Sequence, residues 1–308
     1  MAERWRLEAL GLHLIDGRGE RGHGAAFRAF DAVHGGEFGP EFHEAGDELV
    51  DRAAALAGAA AGAFAAAEPE RRAELLETSA SGLVDLGDGL LDTAARETAL
   101  PRERLVGERA RTVLQLQQFA ALLREGSWVE AHVTHGDAQR TPLPRPDLRR
   151  MLVPLGPVAV FGASNFPFAY SVAGGDTAAA LAAGCPVVVK GHPAHPGTGE
   201  LVGLVVQRAL AALGLPAGCF ALVHGRTPAT GERLVDHAAI KAVGFTGSLA
   251  GGRALFDRAA RRSEPIPVFA EMGSMNPVVV LPRALAARPQ AIAERIAASA
   301  LLAQGQFC

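Results

Sequence analysis

The sequence predicts an α/β protein whose centre is a Rossmann-like parallel sheet, preceded by a helical layer and a β-ribbon. After Pro154, short apolar runs alternate with helical patterns of roughly 10–15 residues, which is typical of right-handed βαβ crossovers. Before it, residues 44–124 have an almost continuous helical pattern, whereas residues 128–153 alternate like exposed strands. These three observations together predict the fold class.

The composition restricts the class of protein. The chain has 308 residues, of which 49% are hydrophobic and 20% charged, and its net charge is −3. These values are typical of a soluble globular protein and favour neither a nucleic-acid nor a membrane partner. No signal-peptide core follows Met1–Arg6, and the alanine-rich stretch Ala53–Ala67 predicts a packed helix rather than a membrane span. Three cysteines form neither a disulfide framework nor a paired metal spacing, so we expect a cytoplasmic protein without a metal site.

The first 43 residues predict hairpins or an extended arm, and they contain one misleading motif. Gly17–Gly22 matches G-x-G-x-x-G, the fingerprint of dinucleotide-binding turns. The fingerprint requires a buried strand before it and a full helix after it. Here the preceding run Leu10–Ile15 is short and alternating, and the following pattern breaks at Gly35. We therefore expect no phosphate at this motif.

The next segments predict a helical layer and then a ribbon. Proline at first-turn positions and a glycine stop at Gly126 delimit helices over residues 47–67, 69–98 and 101–124. Val129–Thr134 and Leu148–Val153 alternate as two strands with long unpaired edges. Such edges are commonly covered by another subunit. We expect a homodimer or homotetramer when the protein is full length.

Beyond Pro154, the strands and helices alternate, and functional side chains are expected at the carboxyl ends of the strands. The predicted strands are Val158–Phe161, Pro186–Val189, Phe220–Val223, Ala239–Gly244 and Val278–Leu281. The predicted helices are Val172–Ala183, Gly199–Leu213, Thr230–His237 and Leu249–Arg262.

Two strand ends carry features suited to a phosphate-bearing ligand. Gly244–Ser248 follows a strand and opens a helix, so its backbone N–H groups could approach a diphosphate. Thr246 and Ser248 could donate hydroxyls to that ligand or simply cap the helix. Lys190 ends a valine-rich strand, which places a point charge at the ligand edge. His195, in the proline-rich turn that follows, is interpreted as turn structure.

Three further residues suit acyl chemistry. Asn165 lies in a turn before a proline, where its amide could stabilise an oxyanion or act as a cap. Glu271 ends an apolar strand, where we expect partial desolvation and general-base duty. Cys308 follows a Gly-x-x turn after a long helical pattern, which is an ordinary way to expose a thiol.

These segments occur in the order and spacing of the aldehyde dehydrogenase superfamily, which the chain resembles from about Gly11 to its end. The segments that carry the resemblance are Asn165-Phe166-Pro167, Lys190 on its strand, Phe245-Thr246-Gly247-Ser248, Glu271-Met272-Gly273 and Gly305-Gln306-Phe307-Cys308. Val189–Pro196 and Glu271–Pro277 are most similar to the NADP-linked branch. That branch includes 2,5-dioxopentanoate (α-ketoglutarate semialdehyde) dehydrogenases and a bacterial fatty aldehyde dehydrogenase.

The resemblance implies an NAD(P)-dependent oxidation of a small-molecule aldehyde to the carboxylic acid, with the substrate held on a cysteine as thiohemiacetal and then thioester. Cys308 would be the nucleophile, Asn165 an oxyanion donor, Glu271 the base that activates water, and Lys190 the group that bonds the adenosine ribose. The cofactor-binding residues that it implies are Gly162, Ala163, Ser164, Asn165, Lys190, His192, Pro193, Arg226, Thr246, Gly247, Ser248, Glu271, Met272 and Gly273.

The cofactor expected from the resemblance is NADP, with NAD possible. Many NAD-preferring members of the family carry a glutamate three residues after the lysine, where it holds the 2′-hydroxyl. Here Pro193 occupies that position, which removes a charge that would repel a 2′-phosphate, and Arg226 is a candidate partner for such a phosphate.

The chain departs from the family at its end, because family members continue well past this cysteine. We therefore expect a truncated sequence that oxidises aldehydes poorly or not at all by itself. Two alternatives remain open: a non-catalytic dinucleotide-binding fragment, and an acylating relative that uses coenzyme A, against which Glu271 argues.

The expected division is 1–127 (arm and helical part of the cofactor domain), 128–153 (oligomerisation ribbon), 154–270 (Rossmann-like domain) and 271–308 (start of the catalytic domain).

Overall fold

The computed structural model describes residues 7–308, so the first six residues of the predicted arm, including the signal-peptide interpretation of Met1–Arg6, lie outside the described part. A seven-stranded sheet in the order β11-β10-β7-β8-β9-β1-β2 forms the centre. The strands are β1 (His13–Ile15), β2 (Arg18–Glu20), β3 (Ala26–Phe30), β4 (Glu37–His43), β5 (His132–Thr134), β6 (Leu148–Arg150), β7 (Val158–Phe161), β8 (Val187–Lys190), β9 (Phe220–Val223), β10 (Ala242–Gly247) and β11 (Val268–Met272). The α-helices are α1 (Asp47–Ala65), α2 (Pro69–Asp85), α3 (Gly87–Thr98), α4 (Arg102–Glu125), α5 (Gly175–Ala182), α6 (Pro196–Ala212), α7 (Pro228–Asp236), α8 (Leu249–Ala260), α9 (Pro282–Ala287) and α10 (Pro289–Ala300).

Strands β7 to β11 are parallel, and this confirms the predicted Rossmann-like part. The side chains of β8 show why its residues are all valine before the lysine. Val187 and Val189 pack into one core cluster with α2, α5 and α6, whereas Val188 packs into a second with α1 and α7. Because helices cover both faces, period-2 alternation between polar and apolar residues is absent from this strand.

The strand order reverses at β7, which lies between β8 and β10. In open parallel sheets, ligands bind outside the carboxyl ends of the strands at such a point. The topology therefore predicts a ligand site outside the carboxyl ends of the strands around β7.

The misleading glycine motif forms a hairpin. Gly17 adopts φ +73 in the turn between β1 and β2, which pair antiparallel, and β1 adds to the edge of the main sheet through β9. No helix follows β2; the chain continues into the β3–β4 hairpin. The rejection of a phosphate site at Gly17–Gly22 agrees with this geometry.

The helical layer is confirmed, but the helix predicted over 69–98 is wrong as a single element. It is divided into α2 and α3 at Gly87, which adopts φ +59. A positive φ is incompatible with a right-handed helix, and glycine permits it without steric strain.

The ribbon is also present, formed by the antiparallel pair β5 and β6, and most of its residues are exposed. Its strands are shorter than predicted.

Two further predictions need correction. The strand Ala239–Gly244 lies three residues later, as β10, because pairing with β11 continues to Gly247 after pairing with β7 ends at Phe245. The segment Val278–Leu281 is not a strand: it lies between Pro277 and Pro282, pairs with no strand in residues 7–308, and leaves Val279 82% exposed.

Within residues 7–308, no helix combines the length and apolar character that a membrane crossing requires.

Candidate functional site

A cleft of about 1670 Å³ lies at the carboxyl ends of β7, β8, β10 and β11, where the strand order reverses. It brings together every predicted catalytic and cofactor-binding residue except one. The predicted residues that line it are Gly162, Ala163, Ser164, Asn165, Lys190, His192, Pro193, Arg226, Thr246, Gly247, Ser248, Glu271, Gly273 and Cys308. The exception is Met272, whose side chain packs instead against Gly252, leaving no room for a Cβ there.

The turn that carries Asn165 is held at both ends. The Ala163 N–H donates to the Tyr170 carbonyl over 2.7 Å, which closes the loop between them. The buried ring of His195 contacts the Ala163 carbonyl through Nε2 at 3.0 Å. Burial lowers the pKa of His195, so the ring is neutral and Nε2–H is the donor. His195 is therefore part of the turn structure, as expected.

Helix α4 supplies a third support for this turn. The Glu108 carboxylate is fully buried and accepts hydrogen bonds from the Phe168 and Ala169 N–H groups at 2.9 and 3.0 Å. Its other oxygen pairs with Arg104 at 2.8 Å. Burial raises the pKa of Glu108, opposed by these hydrogen bonds and by Arg104. Sequence reasoning missed Glu108, because an acid inside a helical pattern normally indicates a solvated face.

The turn also contacts the segment that carries the thiol. The Asn165 amide donates to the Gln306 carbonyl, and the Phe166 and Phe307 rings lie 5.3 Å apart. The Cys308 carbonyl accepts a hydrogen bond from the Asn276 amide. The Cys308 side chain is exposed. Asn165 and Cys308 therefore occupy the same end of the cleft.

Glu271 lines the cleft, but the expectation that it is partly desolvated is wrong. Its side chain is exposed because β11 is the edge strand of the sheet, so no described strand covers its outer side. The neighbouring Phe269 on the same strand is 62% exposed.

At the opposite side of β7, Lys190 ends β8 and points into the cleft as a partly buried cation. Burial lowers the pKa of Lys190 to about 8, although the nearby Glu44 carboxylate acts in the other direction. Glu44 itself accepts from the backbone N–H groups of Arg226 and Thr227, both at 2.9 Å, and so fixes the start of α7. A desolvated ammonium that lacks a full set of acceptors favours a hydroxyl or phosphate ligand.

The turn after Lys190 places the neutral imidazole ring of His192 near the Lys190 ammonium. Burial lowers the pKa of His192 to about 3, and the nearby His195 and Lys190 act in the same direction. The Ala194 N–H donates to His192 Nδ1 at 3.2 Å, so Nε2 of the neutral ring carries the proton and is a donor. Across the cleft, the Arg226 side chain is exposed.

The start of α8 completes this half of the cleft. Ser248 accepts from the Gly251 N–H at 3.1 Å, so the capping alternative describes its hydroxyl. The N–H groups of Leu249 and Ala250 lie in the first turn, where a helix offers them no partner. Gly247 packs against the Phe245 ring, since a Cβ there would lie 2.7 Å from that ring. These donors, with Lys190, fit the diphosphate and ribose of a dinucleotide.

Several cleft residues were not found from the sequence. Burial raises the pKa of Asp176, which lies beneath Gly244. Glu232 pairs with Arg258 at 3.0 Å on the wall of the cleft formed by α7 and α8. Their only sequence signal was an acid near a helix start. Tyr170 belongs to the same group and is located only by the folding of the turn.

A family model described as the aldehyde dehydrogenase family matches residues 23–308. The chain belongs to the aldehyde dehydrogenase family. The predicted superfamily is thereby confirmed, and the segment from β3 onward falls within it.

Among curated relatives, an α-ketoglutaric semialdehyde dehydrogenase 2 of Azospirillum brasilense is 51% identical over 303 residues, covering 98% of this chain and 58% of that protein. An α-ketoglutaric semialdehyde dehydrogenase of Acinetobacter baylyi is 44% identical and covers 97% and 56%, respectively. Among solved structures, an NAD-dependent benzaldehyde dehydrogenase from Corynebacterium glutamicum superposes with a TM-score of 0.82 at 27% identity, covering 98% of this chain and 62% of that one. The chain thus spans a little over half the length of the curated family members it matches.

Proposed function

We propose that this chain provides the cofactor site and the nucleophile of an aldehyde dehydrogenase that oxidises a semialdehyde and prefers NADP. The observation that carries the proposal is that one cleft contains both Lys190 and Cys308. The first is suited to a nucleotide and the second to an aldehyde carbonyl, and a hydride transfer requires both ligands in one place.

The cofactor would lie across the ends of β8, β7 and β10. Lys190 would bond the adenosine ribose, and the first turn of α8 would face the diphosphate. Pro193 contributes no carboxylate to the ribose 2′-position, and the exposed guanidinium of Arg226 would pair with a 2′-phosphate. The preference for NADP rests on these two residues.

The chemistry would be carried out at the other end of the cleft. The Cys308 thiolate would attack the aldehyde carbon, and the Asn165 amide would turn from the Gln306 carbonyl to the resulting oxyanion. A bound nicotinamide would supply the hydride acceptor. Glu271, on the strand beside the thiol, would hold and deprotonate the water that releases the acid from the cysteine.

The substrate class comes from the two curated relatives, whose names specify α-ketoglutaric semialdehyde. We extend it to this chain as the compound to assay first, with other semialdehydes next.

One observation favours a second candidate, a dinucleotide-binding module without turnover. Both reacting groups, Cys308 and Glu271, are exposed, whereas such chemistry benefits from excluding water. In that case the cleft would bind NADP or NAD and would not oxidise an aldehyde.

Formation of reduced cofactor by the complete gene product, with NADP or NAD and a panel of semialdehydes and alkanals, separates these candidates. We expect turnover with NADP and α-ketoglutaric semialdehyde that disappears in Cys308→Ala. Tight cofactor binding without turnover would favour the binding module, and clearly tighter binding of NAD than NADP would refute the cofactor preference.

We further propose that the ribbon over 128–153 carries oligomerisation, since its edges are exposed. The division at residues 127, 153 and 270 is proposed with it. Light scattering on the complete gene product with and without charge substitutions in the ribbon tests this assembly.

A further inference from the structure

The two lysines of the sequence, Lys190 and Lys241, lie in contrasting surroundings. Lys241 pairs with the Glu264 carboxylate at 2.7 Å. Lys190 is half-buried at the end of β8 and lines the cleft, and among residues 7–308 no carboxylate lies within ion-pairing distance of its Nζ. All other basic side chains that are charged at neutral pH are arginines, which do not lose their proton in proteins. Lys190 is therefore the side-chain amine that the cleft presents to a ligand.

The acid that acts on Lys190 is Glu44, but its oxygens are engaged elsewhere. One oxygen accepts from the N–H groups of Arg226 and Thr227, both at 2.9 Å, and the other accepts from the Thr227 hydroxyl at 2.8 Å. These three hydrogen bonds hold the carboxylate at the start of α7. Glu44 therefore attracts the Lys190 ammonium from a distance and does not accept its protons.

The other titratable groups that act on Lys190 are the imidazole rings of His192, His195 and His224. Burial lowers the pKa of His192 and of His224 to about 3, and it also lowers the pKa of His195, so all three rings are neutral near pH 7. None of them offers a counter-charge to an ammonium. Burial accordingly lowers the pKa of Lys190 to about 8, which leaves about a tenth of the amine unprotonated at pH 7. An unprotonated amine is a nucleophile toward carbonyl groups.

Groups that attract an anion line the same cleft. The Arg226 guanidinium is exposed there, and Ala250 lies in the first turn of α8, where a helix leaves its N–H groups without internal partners. A small molecule that carries both a carbonyl group and an anionic group therefore meets a nucleophile and an anion-binding surface in one cleft.

We propose that Lys190 is a covalent capture site, where an aldehyde that carries an anionic group condenses reversibly to an imine while no dinucleotide is bound. The Nζ lone pair attacks the carbonyl carbon and the carbon–oxygen bond breaks. The oxygen leaves as water with both hydrogens of the neutral amine, and a carbon–nitrogen double bond takes its place. No oxidant or reductant is consumed, and addition of water reverses the step.

The capture site lies where the proposed function places the adenosine ribose, and it gives Lys190 a second role. A semialdehyde that carries a carboxylate belongs to the captured class. If the proposed function holds, excess substrate therefore competes with the cofactor for Lys190, and a dinucleotide that binds first keeps the amine from condensing.

Pyridoxal 5′-phosphate, an aldehyde with a phosphate group, is the probe of the test. The folded chain is incubated with it near pH 7, the imine is reduced with borohydride, and peptide masses report the incorporation at each lysine. We expect Lys190 to be labelled at least about tenfold more than Lys241, since an ordinary lysine with a pKa of about 10.4 is far less deprotonated at this pH. In urea, where both side chains are solvated, the preference should disappear.

Controls identify the amine and the anionic group. Lys190→Arg keeps the positive charge but cannot form an imine, so the selective label should be lost, whereas Lys241→Arg should leave the labelling of Lys190 unchanged. Pyridoxal, which lacks the phosphate, should label Lys190 about tenfold less, because a hydrogen bond to a charged group is worth about that factor. Circular dichroism melting shows whether each variant is folded.

Three results would overturn the capture site: equal labelling of the two lysines in the folded chain, undiminished incorporation in Lys190→Arg, or equal labelling of Lys190 by pyridoxal and its phosphate. A parallel titration of NADP keeps the proposed function separate. NADP binding without selective labelling refutes only the capture site. Selective labelling that saturating NADP does not prevent refutes only the nucleotide site at Lys190.

Discussion

Replacement of Glu108 should loosen the turn that carries Asn165, although Glu108 touches no reacting atom. Its carboxylate is fully buried and binds two backbone N–H groups and Arg104, at 2.8 to 3.0 Å. Glu108→Ala would leave both N–H groups buried without acceptors and would deprive Arg104, whose side chain is 22% exposed, of its counter-charge. Removing one partner of a buried pair typically costs about 3–5 kcal/mol, and partial exposure of the arginine points to the lower end.

Urea unfolding followed by circular dichroism measures this loss. We expect Glu108→Ala to reduce the free energy of unfolding by about 3 kcal/mol. Glu108→Gln should reduce it by about half as much, since the amide oxygen can still accept from both N–H groups whereas the ion pair with Arg104 is lost. Glu103→Gln, an exposed acid on the same helix, should change it by less than about 0.5 kcal/mol. A loss below about 1 kcal/mol for Glu108→Ala would refute the assignment of this carboxylate as the support of the turn.

Three other predictions concern burial. Burial raises the pKa of Glu97 to about 7, although hydrogen bonds from α6 act in the other direction. Between about pH 4.5 and 7 the folded chain therefore holds a proton that the unfolded chain has released, so the stability of the parent relative to Glu97→Gln should increase as the pH falls through this range. A stability difference that does not depend on pH would contradict this prediction. Gly174→Ala should lower the unfolding free energy by about 1–3 kcal/mol because its Cβ would lie 2.4 Å from the Ala169 carbonyl oxygen. Gly89→Ala, with nothing within 4 Å, should instead raise it by about 0.5–1 kcal/mol in the same urea assay, and equal effects would refute the packing argument. Mass spectrometry after iodoacetamide should find only Cys308 labelled in the native chain and all three cysteines in urea, and early labelling of a second cysteine would contradict its burial.

The sheet was largely predictable because its strands obey one rule. Each of β7, β8 and β9 is a short apolar run buried on both faces, and each is followed by a polar or glycine-rich segment. The same rule failed for Val278–Leu281, where apolar composition is present without a partner strand. The break at Gly87 was missed because only the backbone dihedral, not the apolar period, distinguishes a continuing helix from two helices.

The site was predictable where a residue acts at a strand end and unpredictable where it acts from a remote element. Lys190 and Asn165 follow strands, so topology alone brings them to one cleft. Glu108 comes from α4, and its approach to the turn depends on how that helix packs, which no local pattern records. The exposure of Glu271 likewise depends on its strand lying at the sheet edge.

We propose that one continuous cleft joins a dinucleotide site at Lys190 to the thiol of Cys308. The rate of Cys308 alkylation by iodoacetamide, measured with and without saturating NADP, tests it most directly. We expect NADP to change this rate in the parent chain, and we expect Lys190→Ala to require at least about tenfold more NADP for the same change. An alkylation rate that NADP leaves unaltered, or an equal NADP dependence in Lys190→Ala, would contradict it.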